Sequence, residues 1–465
     1  MTSKCRMTLE EKELHILNKS IKNATLKQGR MKITNLDIKR TIEIIEDYIR
    51  KKKLVCYGGI AINNILPENK RFYDFQSEVP DYDFFSPTAL RDVKKLADIF
   101  YNAGYTNVEA KSGIHKGTYK LFVDFFQVAD VTEMDVKVFE KVKSEAISKK
   151  GILYAPADLL RMMSYTELSR PDGNVSRWEK VMTRLSLLNK YFPIKTSRCD
   201  IVEFQRDFEV EDDIKPDIYY NVRDALIEEE VVFFGGWACS LYGRYMPKHT
   251  RSKLDVDLPD FDVLSMDPYT TALAVKRRLL NCGFKGVRVK KHAMIKEMLP
   301  HHYEILVEGN SVCFIYDNQH CYSYNMIRRN NRLVKIATID TMLKFYLAFV
   351  YCDKKYFDVD RLLCMSQYLL KVQYENKLAQ KGLLKRFTTD CYGDEQTIEE
   401  IRGENHVMFE KLKKLKNTPN SLEYDKMFLK YTPNKKKSNK KTRSKTQRKN
   451  KKRRSTRKNS NWLGV

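Results

Sequence analysis

Two seven-residue stretches, Pro80-Asp81-Tyr82-Asp83-Phe84-Phe85-Ser86 and Pro259-Asp260-Phe261-Asp262-Val263-Leu264-Ser265, lie 179 residues apart in this 465-residue chain. The repetition extends around them. Gly58-Gly59-Ile60-Ala61 is echoed by Gly235-Gly236-Trp237-Ala238, and Asn102-Ala103-Gly104-Tyr105 by Asn281-Cys282-Gly283-Phe284. Tyr119-Lys120-Leu121-Phe122-Val123 is echoed by Tyr303-Glu304-Ile305-Leu306-Val307. Motifs in one order at a nearly constant offset predict a duplicated unit, and the chain is too long for a single ordinary core. The expected architecture is α/β (α+β): two tandem units, each a small mixed sheet with helices.

Within the first unit, Ile38–Lys53 has helical spacing at Ile38, Ile42, Ile45, Tyr48 and Ile49, with Asn35 or Asp37 as its cap. Leu54–Tyr57 then reads as a short buried strand that exits through Gly58-Gly59, and Ala61–Leu66 as the start of a helix. A glycine pair ahead of a helix allows backbone N–H groups to approach an anionic phosphate. Asp81 and Asp83 sit at i and i+2 of a strand, so both carboxylates point to one side and can share a divalent cation. Lys70 and Arg71, in the intervening loop, are equally well read as phosphate contacts or as solvated charges. Ala89–Ala103 is a helix stopped by Gly104. Together these features resemble half of a metal-dependent nucleotidyl-transfer site.

The other half lies in Thr118–Met134, a predicted hairpin with its turn near Asp124-Phe125. Asp130 falls between apolar neighbours in Val128-Ala129-Asp130-Val131-Thr132, where a carboxylate is unfavourable unless it has a partner such as a metal. Asp124 competes for the role of third carboxylate, but Asp is common in turns for local reasons, and Asp130 is preferred. In the second unit Phe314 falls on the Asp130 position. That copy keeps the Asp-x-Asp pair and lacks the third carboxylate, so it is expected to be degenerate. Asp158–Tyr191 and Ile339–Gln373 read as helical segments following the two copies. In the first, Arg161, Arg177 and Lys180 are candidate triphosphate ligands and Tyr165 a candidate face for the base, although such residues more often form solvated or core positions.

The formal charge is +25, and the stretch from Lys435 to Lys458 holds fifteen Lys or Arg and no acid; without it the body carries +10. That tail has no means of burying a core and reads as disordered, serving solubility, localisation or a salt-sensitive polyanion tether. A basic body with a basic tail and no amphipathic anchor favours nucleic acid over membrane. No apolar window reaches membrane-span length and the N-terminus lacks a signal core, so a soluble intracellular protein is expected. The ten cysteines form no CxxC pair and mostly sit in apolar runs; buried free thiols are expected, not zinc or disulfides. The units are bounded as a basic N-terminal segment 1–34, a catalytic unit 35–195, a degenerate repeat 196–375, a helical segment 376–432 and a basic tail 433–465.

Tyr57-Gly58-Gly59-Ile60-Ala61-Ile62-Asn63, Pro80–Pro87 and Thr118–Thr132 resemble the poly(A) polymerase catalytic subunits of large nucleocytoplasmic DNA viruses, poxvirus-related members of the polymerase-β-type nucleotidyltransferase superfamily. The resemblance covers about residues 35–375. It implies addition of AMP from ATP to RNA 3′-ends, with Asp81, Asp83 and Asp130 holding two Mg²⁺ or Mn²⁺ ions and Gly58-Gly59 positioning the triphosphate. It also implies RNA as partner, a homodimer or a processivity subunit, and a place in the virion and host cytoplasm. One departure stands out: many superfamily members have Ser after the glycine pair, and this chain has Ile60. Phosphate contact must then rest on backbone amides or basic side chains.

Overall fold

The structure is a computed structural model and describes residues 8–33, 36–73, 81–196, 199, 215–247, 261–296, 298–329, 331–377, 379–416, 418 and 421–433. Helices α1 (Leu9–Ile33) and α2 (Leu36–Lys52) lead into β1 (Val55–Cys56), α3 (Gly58–Ile65), β2 (Tyr82–Ser86), α4 (Ala89–Asn102), β3 (Val108–Ser112), β4 (Thr118–Val123) and β5 (Phe126–Glu133). Next come α5 (Val136–Ser144), β6 (Ile147–Lys149), β7 (Ile152–Tyr154), α6 (Ala157–Leu168) and α7 (Trp178–Tyr191). The second repeat begins with α8 (Lys215–Glu228), β8 (Val232–Phe233), α9 (Gly236–Leu241), β9 (Phe261–Ser265), α10 (Pro268–Asn281) and β10 (Arg288–His292). It continues through β11 (His302–Val307), β12 (Asn310–Asp317), β13 (Tyr322–Arg329), β14 (Arg332–Ala337), α11 (Ile339–Phe349) and α12 (Val359–Glu375). The last part contributes β15 (Cys391–Tyr392), α13 (Ile398–Leu412), α14 (Ser421–Phe428) and β16 (Lys430–Tyr431).

Two mixed sheets result, ordered β16-β3-β4-β5-β2-β1-β7-β6 and β10-β11-β12-β9-β8-β14-β13-β15. Seven consecutive strands of one sheet correspond to seven of the other, in the same order and sense. β2 runs parallel to β5 and β9 to β12, while β1 pairs β7 in parallel and β8 pairs β14 likewise. Even a register irregularity recurs, between Leu121 and Phe122 in the first copy and between Ile305 and Leu306 in the second. The duplication in sequence is therefore a duplication of fold. The eighth strand of each sheet comes from the segment expected to be helical: besides α13 and α14, it adds β15 to the second sheet and β16 to the first.

Local chemistry accounts for the elements around the site. Val93, Leu96, Ala97 and Phe100 are buried on one stripe of α4, which packs on β3, β4 and β5. Tyr119, Leu121 and Val123 alternate inward along β4, leaving Lys120 on the other face. Asp124 and Phe125 both have positive φ, 47° and 69°, the turn geometry that matches hairpin twist. The predicted hairpin is thus present, turning at the expected residues. Helix α2 starts at Leu36, ahead of Asp37; Asn35 lies outside the described residues, as do Pro259, Asp260 and the basic tail.

The equivalent helices α6 and α11 pack against each other and join the repeats. A buried ion pair of Arg386 with Asp340 lies beside them, with Nε 2.9 Å from Oδ2. One expectation is overturned here. Cys199 is disulfide-bonded to Cys364, and Cys321 to Cys391, with Cα separations of 5.4 and 5.2 Å. These partners are 165 and 70 residues apart, so no local spacing announces them. Cys56, Cys239 and Cys352 are buried free thiols, as expected, Cys313 is buried too, and Cys282 is free but exposed.

Candidate active site

Strand pairing assembles the acidic cluster. Asp83 on β2 stands directly opposite Asp130 on β5, and Asp130 directly opposite Lys120 on β4. Residues in register across adjacent strands share a face, so these three side chains project together. Asp81, just before β2, joins them by the two-residue alternation. One carboxylate oxygen from each of Asp81, Asp83 and Asp130 lies within 4.8 Å of the others. Asp124 stays at the hairpin turn and is not part of this group.

The electrostatics follow from crowding three acids together. The Asp83 carboxyl is pushed up to about 8, first by loss of solvent and then by Asp81 and Asp130, with Lys120 and Arg177 pulling it down. Asp81, the most exposed of the three, is raised to about 6 by desolvation and by Asp130, against Lys120 and Gln127. Lys120 Nζ donates to Asp130 Oδ2 at 2.8 Å and to Gln127 Oε1 at 3.0 Å. Gln127 Nε2 in turn lies 3.0 Å from both Asp81 Oδ2 and Asp130 Oδ1.

The glycine pair meets the cluster from β1. The Tyr57 amide donates to the Asp83 carbonyl at 2.9 Å, and Gly58 follows with φ of 69°. A Cβ at Gly58 would collide with the Asp83 carboxylate, so both conformation and space require glycine there. Helix α3 begins at Gly58 itself, earlier than expected, which puts both glycines in its first turn. Ile60, at the departure noted above, is buried. A Cβ built on Gly59 would lie 2.5 Å from the Tyr73 hydroxyl and 2.9 Å from an Arg184 terminal nitrogen. Arg184 donates to that hydroxyl at 2.6 Å, and its guanidinium sits 5.1 Å from the Phe72 ring centre.

Two sequence-derived ligands are corrected. Arg161 is fully buried; its guanidinium bonds Asp158, Asn189 and the Phe192 carbonyl, which leaves nothing to offer a phosphate. Tyr165 is buried as well, against Asp340 and Arg386 at the junction of the repeats, and burial lifts its phenol to about 12. Its ring faces core, not a nucleotide. Arg177 is exposed and paired with Glu167 at 3.2 Å, within electrostatic reach of Asp83, and Lys180 is exposed one turn further along α7. Lys120, Gln127, Tyr73 and Arg184 are the neighbours the motifs did not single out. The register of Lys120 with Asp130 across an expected hairpin was the available signal for the first two; nothing local pointed to the others.

Oxygen-only donors of this density suit a hard divalent cation such as Mg²⁺ or Mn²⁺, and the glycine beside Asp83 leaves room that a side chain would fill. The donor set therefore fits a divalent cation.

Residues 43–174 match the family model described as the poly(A) polymerase catalytic subunit. A protein of African swine fever virus (isolate Tick/Malawi/Lil 20-1/1983), provisionally named a poly(A) polymerase catalytic subunit, is 33% identical over 163 residues, 34% of this chain and 34% of its own length. A protein of Acanthamoeba polyphaga mimivirus with the same provisional name is 33% identical over 190 residues, 39% of this chain and 32% of its own. The match thus spans about a third of each relative. The crystal structure of the Megavirus polyadenylate synthase superposes with a TM-score of 0.76 at 20% identity, covering 100% of this chain and 92% of that one, and so shares its fold. Residues 43–174, the stretch that carries the glycine pair and all three carboxylates, are thus the part of this chain that is similar to the poly(A) polymerase catalytic-subunit family.

Proposed function

We propose that the chain is a template-independent poly(A) polymerase that transfers AMP from ATP to the 3′-end of RNA and releases pyrophosphate. The observation that carries this reading is the convergence of Asp81, Asp83 and Asp130 beside the glycine pair at the start of α3. Asp81 and Asp83 would hold both divalent cations, and Asp130 the one nearer the attacking hydroxyl. When bound, Mg²⁺ or Mn²⁺ lowers the pKa of the 3′-hydroxyl and neutralises charge on the leaving group.

The chain's own groups do the rest. Backbone N–H groups of Gly58 and Gly59 face the triphosphate in place of the serine hydroxyl that Ile60 lacks. Arg184, held by Phe72 and Tyr73 over Gly59, supplies a fixed cation for the same phosphates, with Arg177 and Lys180 at the start of α7. The basic surface and the tail would hold the RNA. Among the described residues no helix is long and apolar enough to cross a membrane. A homodimer or processivity partner, and a place in virion and host cytoplasm, belong to the same reading.

The test is incubation of the full chain with each labelled nucleoside triphosphate, Mg²⁺ or Mn²⁺ and a short RNA primer, read as product length. Long products with ATP are expected. Equal extension by all four nucleotides would redirect the reading to another nucleotidyltransferase, and no extension under any condition to a non-catalytic RNA-binding scaffold.

A further inference from the structure

Both oxygens of Asp130 are engaged by the protein itself: Oδ2 by Lys120 at 2.8 Å and Oδ1 by Gln127 at 3.0 Å. Gln127 also reaches Asp81 Oδ2, so one amide bridges two of the three carboxylates while Lys120 holds its other end. Three like charges within 4.8 Å repel one another, and an ammonium placed among them relieves that repulsion. Among the described residues, Lys120 is the positive group in hydrogen-bond contact with the cluster. Its strand neighbour Lys111 is turned to Glu109 at 2.7 Å.

The second repeat provides an independent observation. There the positions of Asp130, Lys120 and Gln127 are held by Phe314, Glu304 and Ser311, in the same strand register. Where the third carboxylate is missing, the lysine and the glutamine are missing too. Glu304 is instead satisfied by His292 at 2.7 Å and by the Ser311 hydroxyl. A lysine kept only to stabilise the hairpin would have no reason to change along with the acid it faces.

We infer that Lys120, braced by Gln127, is the resident counter-charge of the carboxylate cluster: it holds Asp130 in place before a divalent cation binds and is the group that the cation must displace. The inference rests on the metal-dependent reading above. It makes the ion at Asp130 the weaker-binding one, because Asp83 carries no such bridge from Lys120 or Gln127. Lys120 is a positioning residue and touches no reacting atom.

The experiment is Mn²⁺ titration of the full chain, followed by loss of the free-ion EPR signal without ATP or RNA, together with thermal unfolding in chelator and in excess Mn²⁺. Lys120→Met should bind Mn²⁺ about three- to tenfold more tightly than the unaltered protein, the range for losing one partly exposed charge pair. Its melting temperature should fall in chelator and recover in Mn²⁺. Lys120→Arg, which keeps the charge, should bind as the unaltered protein does, and Gln127→Leu should tighten binding about twofold. Unchanged or weaker Mn²⁺ binding by Lys120→Met, with equal destabilisation in both conditions, overturns the inference and makes Lys120 a structural strand residue. Mn²⁺ binding that Asp83→Asn and Asp130→Asn leave untouched overturns the metal-dependent reading itself, and this inference with it.

Discussion

Across the first sheet one register row reads Lys111, Lys120, Asp130, Asp83; across the second the same row reads Lys290, Glu304, Phe314, Asp262. Strand order, sense and even the bulge agree between the two, so topology alone does not make a site. In the first copy the row ends in part-exposed carboxylates beside a glycine pair. In the second, Phe314 is fully buried with its ring 4.9 Å from that of Tyr356, and Asp262, also buried, accepts from the Tyr316 hydroxyl at 3.2 Å. His302 stacks on Tyr316 nearby, and burial lowers its imidazole to about 4. The second copy has exchanged a part-exposed charged cluster for buried aromatic packing. A duplicated fold keeps its scaffold as long as its inward-facing residues pack, whereas the chemistry depends on a handful of side chains on one face.

The matching acids of the two copies, substituted alike, should behave oppositely. Under the proposed function, Asp83→Asn should lower primer extension by about a thousandfold or more, since it would remove a metal-holding charge worth several kcal/mol at the transition state. Asp262→Asn should leave turnover within about twofold. Primer extension by both variants, each checked for folding by circular dichroism, decides it; a dead Asp262→Asn protein would mean that the second copy carries chemistry.

Phe314→Asp restores in the second copy the residue that the first one has. Among buried rings the charge finds no Lys120, so destabilisation by about 3 kcal/mol or more is expected, from the lost packing and the unpaired carboxylate together. Denaturant unfolding measures it. A variant as stable as the parent would show that the second copy still accommodates a polar cluster.

A smaller effect separates the copies by pH. Asp83 and Asp81, raised to about 8 and about 6 from an ordinary 3.8, bind protons in the folded chain that the unfolded chain has already released. Stability from these groups is complete below about pH 4 and is lost as pH rises through 6 and then 8. In chelator the melting temperature should therefore carry a downward contribution of a few degrees between pH 5 and 9. Asp83→Asn should remove the upper part of it and Asp262→Asn none. A profile identical in all three proteins would refute the charge crowding described for the first copy.

Much of this was legible in the chain because it is local. Asp81 and Asp83 share a face by the two-residue period of a strand, and the Asp124-Phe125 turn follows from hairpin chemistry. The expected equivalence of Phe314 with Asp130 reappears as strand register, Phe314 opposite Asp262 and Asp130 opposite Asp83. Helical spacing was less informative. It places Arg161, Tyr165 and Arg184 on helices without saying which side packs inward, and that packing buried the first two and set Arg184 over Gly59.

By itself, then, the sequence determined the duplication, the strands, the hairpin and the three acids, all readable from repeats and short-range periodicity. Only the tertiary structure decided the company those acids keep: Lys120 and Gln127 from the neighbouring hairpin, Arg184 and Tyr73 over the glycines, and disulfides closing separations of 70 and 165 residues. The physical reason is that such contacts depend on how distant elements pack, and packing is a property of the whole core, not of any window along the chain.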